Sequence, residues 1–76
     1  MTKFNLKGRE FITLDNLLKI EGLCESGGRA KQVIADGQVK VNGAVELRKR
    51  CKIKPTQQIE FAGQFIEVVN ETINQP

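Results

Sequence analysis

The sequence predicts an α+β fold, a small domain in which a helix-turn-helix-like pair precedes a run of short strands. Three observations carry this. Two apolar stripes of helical spacing, Leu14/Leu17/Leu18 and Ala30/Val33/Ile34, are separated by little more than a glycine turn. Val39-Lys40-Val41, Ile59-Glu60-Phe61 and Phe65 to Val69 then alternate with the two-residue period of half-buried strands. Asn42-Gly43 follows the first of these, and it is the strongest short-range hairpin signal, because both central positions of a type I′ turn need positive φ.

Taken in order, Phe4-Asn5-Leu6 alternates and runs into Lys7-Gly8, which predicts a short extended arm lying over the core. Thr13 is the expected N-cap of the first helix, with Asp15 in the first turn facing the positive end of the helix dipole. Gly22 stops that helix, and Leu23 just beyond is placed to fold back on it. Only Cys24 and Glu25 then precede Ser26, the N-cap of the second helix, so the two helices must cross at a steep angle. Gly37 ends the second helix. After Asn42-Gly43, Ala44-Val45-Glu46-Leu47 returns as a second strand, and Arg48 to Lys54 is a cationic strand or loop whose apolar members are Cys51 and Ile53. Pro55-Thr56-Gln57 and Ala62-Gly63-Gln64 are turns. Residues 1–69 are expected to form the domain, and 70–76 a disordered tail.

A chain of 76 residues buries only about 60% of the surface exposed by its unfolded form, so its core is small and fully used. The four Phe (Phe4, Phe11, Phe61, Phe65) are therefore read as core anchors. Cys24 and Cys51 are far apart, form no C-x-x-C, and have no histidine to complete a zinc site; both are expected to be reduced and buried, with no cofactor or metal. There is no apolar run of membrane-spanning length and no signal-peptide pattern, so a cytoplasmic monomer with no membrane partner is the expectation. Asn70-Glu71-Thr72 matches a glycosylation sequon by chance.

Charge is strongly segregated. Residues 29–54 carry +6, whereas the rest of the chain carries −3, for the net +3 of the whole. An inert surface mixes its signs more evenly, so the pattern points to an anionic partner, and nucleic acid is the leading candidate.

L-D-N-L-L-K from Leu14, then S-x-x-x-A-K-x-x-I-x-x-G-x-V-K-V-N-G from Ser26 to Gly43, then a strand and a proline turn resemble the RNA-binding domain named after ribosomal small-subunit protein four, the S-four domain. The resemblance covers about Thr13 to Phe61 and is greatest to short stand-alone bacterial members. It implies two helices on a small, mostly antiparallel sheet, the αL motif, with RNA docked on the helical side and the adjacent hairpin. The chain departs from the family pattern at three places: Thr13 stands where a basic residue often precedes the L-D, Gly27 where an Arg often follows the capping Ser, and Thr56-Gln57 where Gly-Asp often follows the proline turn. The first two departures shift the expected phosphate contacts onto Arg29 and the Arg48 to Lys54 cluster.

The candidate RNA-binding residues are Ser26, Gly27, Gly28, Arg29, Lys31, Lys40, Asn42, Arg48, Lys49, Arg50, Lys52 and Lys54. Gly27 and Gly28 leave first-turn amides open to a phosphate, and Arg29 and Lys31 flank the buried stripe of the second helix. Lys40 is expected to extend the Arg48 to Lys54 surface. With no exposed aromatic ring expected, recognition would proceed through the backbone and shape of structured RNA, such as ribosomal, ribosome-precursor or transfer RNA. No catalytic constellation is legible: there is no His, no P-loop and no acidic cluster, and Asp15, Glu21 and Asp36 are accounted for by dipole compensation or solubility. Two alternatives are an adaptor whose basic face docks an acidic protein and the RNA-guiding subunit of a separate RNA-modifying enzyme.

Overall fold

Helix α1 spans Leu14–Ile20 and α2 spans Gly27–Ala35 in the computed structural model, which describes residues 2–71. Ser26 caps α2 as its sequence predicts: its Oγ accepts the Arg29 amide at 3.1 Å. Both helices end in the same way. Gly22 (φ 76°) and Gly37 (φ 77°) take the left-handed conformation. The following amides, of Leu23 and Gln38, donate back to the carbonyls of Leu18 and Val33 at 3.0 and 3.1 Å, so each end closes as a Schellman motif.

Thr13 holds the N-cap backbone position of α1, yet its side chain caps nothing and its Oγ1 is buried without a partner. Backbone carbonyls from the basic segment take that role. The amides of Leu14 and Asp15 donate to the carbonyls of Cys51 at 2.8 Å and Lys49 at 3.2 Å, while Asp15 Oδ1 accepts the Asn16 amide. Thr13 belongs to strand β2 (Ile12–Thr13), paired antiparallel with β5 (Lys52–Ile53), and this ladder brings the 49–51 carbonyls over the helix start.

The main sheet has the order β1-β7-β6-β3-β4, with β1 Thr2–Asn5, β3 Val39–Val41, β4 Ala44–Val45, β6 Gln58–Phe61 and β7 Gln64–Val69. All its pairings are antiparallel except β1 with β7. The N-terminal segment is thus an edge strand rather than an arm across the core. Two-residue turns at Asn42-Gly43 (φ 52° and 84°) and Ala62-Gly63 (φ 53° and 77°) close the β3–β4 and β6–β7 hairpins. The β4 strand stops at Val45, two residues short of the expected Leu47, with the Glu46 amide making a last bond to the Val39 carbonyl at 3.0 Å.

Leu14, Leu17, Leu18, Ala30, Val33 and Ile34 of the helices pack in one core with Val39, Ile59, Ile66 and Val68 of the sheet and with Ile12 and Ile53 of the small ladder. Of the four Phe, only Phe4 and Phe61 join it: Phe11 is half-buried, and Phe65 is 44% exposed on the open sheet face opposite Glu60. Strand alternation overrides hydrophobicity there, since β7 has already turned Ile66 and Val68 inward. Asn70 and Glu71 are also tied down, contrary to the expected tail. Asn70 Oδ1 accepts the Gly8 amide and its Nδ2 donates to the Arg9 carbonyl, while Asn5 and Glu71 exchange two bonds. The rest of that expectation, 72–76, lies outside the described residues. No helix among the described residues is long and apolar enough to cross a membrane.

Candidate nucleic-acid interface

The basic segment is held from behind. Cys51 and Ile53 are buried, the Lys49 and Cys51 carbonyls are engaged by α1, and the Cys51 amide closes a turn onto the Arg48 carbonyl at 3.2 Å. With the backbone and the apolar side chains facing inward, the cationic side chains must face water. Arg48, Arg50, Lys52 and Lys54 line one open concavity of about 450 Å³ together with Cys51. Lys49, in the same turn, is exposed beside it. Four cations around one hollow repel one another, and a bound anion relieves that repulsion.

Arg48 is partly satisfied already. Its Nε donates to Glu46 Oε2 at 2.9 Å and its Nη2 to Oε1 at 3.1 Å. These bonds, with that of the Arg48 amide, hold the Glu46 carboxyl down at about 2. Lys52 Nζ stands 5.0 Å from the centroid of the Phe11 ring. Burial pushes the thiols of both Cys24 and Cys51 up, so neither has the character of a nucleophile.

A second cluster forms at the start of α2. Ser26 takes the Arg29 amide, leaving those of Gly27 and Gly28 as orphan donors of the first turn. A Cβ at Gly27 would meet nothing within 4 Å, and one at Gly28 only Ser26 Oγ at 3.9 Å, so no neighbouring side chain crowds either residue. Arg29 and Lys31 are exposed, with Arg29 Nη1 donating to Gln32 at 3.3 Å. Lys40 stands elsewhere, in register with Val45 and Glu60 on the sheet face opposite the buried Val39 and Val41, and it lines no part of the concavity. Asn42 is bound up in structure: its amide and Oδ1 pair with the Gln58 carbonyl and amide at 2.8 and 2.9 Å, fixing the hairpin to β6.

Residues 4–69 match the model of the S4 domain. The chain belongs to the S4 domain family. It is 54% identical over 69 residues to YbcJ of Escherichia coli (strain K12) and to YbcJ of Shigella flexneri, covering 91% of this chain and 99% of each relative. The solution structure of E. coli YbcJ matches with a TM-score of 0.70, over 91% of this chain and 87% of that one, and is described as revealing an αL motif involved in RNA binding.

Within the S4 frame, the departures at Thr13, Gly27 and Thr56 acquire physical content. Thr13 is half-buried, and its hydroxyl is shut off from water without a hydrogen-bond partner. Gly27 leaves the α2 start bare. Thr56, where family members often carry Gly, sits at φ 76°, a region that strains a β-branched residue. Two residues of this surface escape sequence reasoning: Glu46, because an acid two positions before an Arg has no fixed geometry, and Phe11, because an isolated ring reads as core. The signal for Phe11 was the two-residue alternation with Ile12, recognisable only once that segment is taken as a strand.

Proposed function

We propose that this S4 domain protein is a non-catalytic RNA-binding module that grips structured RNA through the Arg48 to Lys54 concavity and the α2 N-terminus. The single observation that carries the reading is the convergence of Arg48, Arg50, Lys52 and Lys54 on one open hollow. A surface so arranged neutralises phosphates spaced along a backbone and asks little of the bases, so sequence specificity is modest. The αL motif ascribed to the YbcJ structure supports the same reading. Ribosomal, ribosome-precursor and transfer RNA are the target classes, met in the cytoplasm.

Titrating a structured RNA at several salt concentrations tests this. With four to six phosphates neutralised, log K falls against log salt with a slope of roughly −3 to −5. A flat response overturns the electrostatic account, and crosslinking followed by sequencing of the bound RNA names the target.

A further inference from the structure

Ile12 pairs with Ile53 and Thr13 with Lys52 in the β2–β5 ladder. Ile12 and Ile53 are 4% and 0% exposed, so alternation along each strand turns Phe11, Lys52 and Lys54 to the opposite, solvent-facing side. One more step of the same register sets Phe11 across from Lys54, with Lys52 on the diagonal. The ring is half-buried and stands outside the core cluster. Lys52 Nζ lies 5.0 Å from its centroid, and Lys52 and Lys54 both line the cationic concavity. The ring does not itself line the hollow, but it stands next to it, one face covered by the hollow's own Lys52. Phe65, the more exposed ring, lies opposite Glu60 on the sheet face, where a phosphate is repelled.

We propose that Phe11 is a stacking platform for one unpaired nucleobase, so that the ligand is an RNA stem carrying a bulged or looped nucleotide whose flanking phosphates are held by Arg50, Lys52 and Lys54. This rests on the RNA-binding reading above and narrows its substrate. Every base has a π-face, so the ring selects for an unpaired nucleotide without selecting its identity. An exposed cation–π contact is worth only a few-fold, and the Lys52 stem is flexible. The ammonium therefore exchanges the ring for an arriving phosphate and uncovers the face on which the base lands. One residue accounts for both states: Lys52 shields the apolar ring from water in the free protein and neutralises charge in the complex.

The test uses the full chain and two hairpin RNAs with the same stem, one fully paired and one with a single bulged 2-aminopurine. The wild type binds the bulged RNA about tenfold tighter, toward the lower end of what one base–aromatic stack contributes, and quenches its fluorescence. Phe11→Leu keeps the apolar volume and so the fold; it binds both RNAs alike and does not quench, while Phe11→Trp restores the preference. Equal binding of the two RNAs by the wild type without quenching overturns the proposal, as does a Phe11→Leu variant that keeps the bulge preference. Failure of the wild type to bind either RNA sinks the underlying RNA-binding reading, and this one with it.

Discussion

Arg48 is clamped to Glu46 by three hydrogen bonds, its amide and Nε to one carboxylate oxygen at 2.9 Å each and its Nη2 to the other at 3.1 Å. One of the five cations between Arg48 and Lys54 is thereby answered within the protein, and the remaining four are not held by an ion pair among the described residues.

Removing that clamp should strengthen RNA binding. Glu46→Gln deletes a negative charge beside the concavity and frees Arg48 for phosphate, so affinity rises about threefold and the salt slope steepens by up to about one. Arg50→Ser should do the reverse, flattening the slope by about one. Filter binding across a salt series distinguishes them, and an Arg50→Ser slope equal to that of the wild type would place Arg50 off the RNA.

The same pair sets an acid dependence. Glu46 titrates at about 2 in the folded chain against an ordinary 4.5, chiefly through the Arg48 side-chain bonds. The folded state therefore favours the ionised carboxylate. The stabilisation is complete above about 4.5, declines as pH falls toward about 2, and is lost below it. Because the Arg48 side chain is largely exposed, solvent screening keeps the effect small. Urea midpoints of the wild type and Glu46→Gln should differ slightly at neutral pH and converge near pH 2; a gap that persists in acid would assign it to packing instead.

Gly27 and Gly28 have room for a methyl group and negative φ, so no steric need explains either. Alanine at both should raise stability by about 0.5 kcal/mol per site through improved helix propensity. If a phosphate closes on those amides, the same double variant binds RNA more weakly despite its greater stability. Melting temperature and affinity that rise together would show that the helix start stands clear of the ligand.

Thr56 is the clearest local strain, at φ 76° in an exposed turn whose amide is tied to the Val68 carbonyl at 2.8 Å. Thr56→Gly relieves it. After the entropy that glycine adds to the unfolded chain, a net gain of about 0.5–1 kcal/mol remains, read as a higher urea midpoint. A lower midpoint would mean that the Thr side chain contributes contacts exceeding the strain.

Much of the fold is legible residue by residue. Ser26 as a cap, Gly22 and Gly37 as helix stops, and Asn42-Gly43 as a turn are local matters of backbone sterics, and each has the conformation its residue type requires. The reading failed where a partner distant in sequence decides. Thr13 looks like a cap, but carbonyls from 49 and 51 reach the helix start first. The segment at Phe4 looks like an arm, but β7 offers it a parallel edge. The candidate site follows the same rule: the Arg48 to Lys54 charge run is plain in the sequence, whereas Lys40 is charged and exposed but set among Val45 and Glu60, which no local pattern announces.

The two helices with their glycine stops, the Ser26 cap, the hairpin turn and the concentration of positive charge between residues 29 and 54 follow from the sequence alone, because propensity, left-handed turns and net charge depend on neighbours a few residues apart. The folded structure was needed to show which cations share a hollow and that Phe11 stands beside Lys52 rather than in the core. Those relations depend on strand register and on backbone groups that meet across some forty residues of chain, and side-chain direction is settled only when that pairing is made.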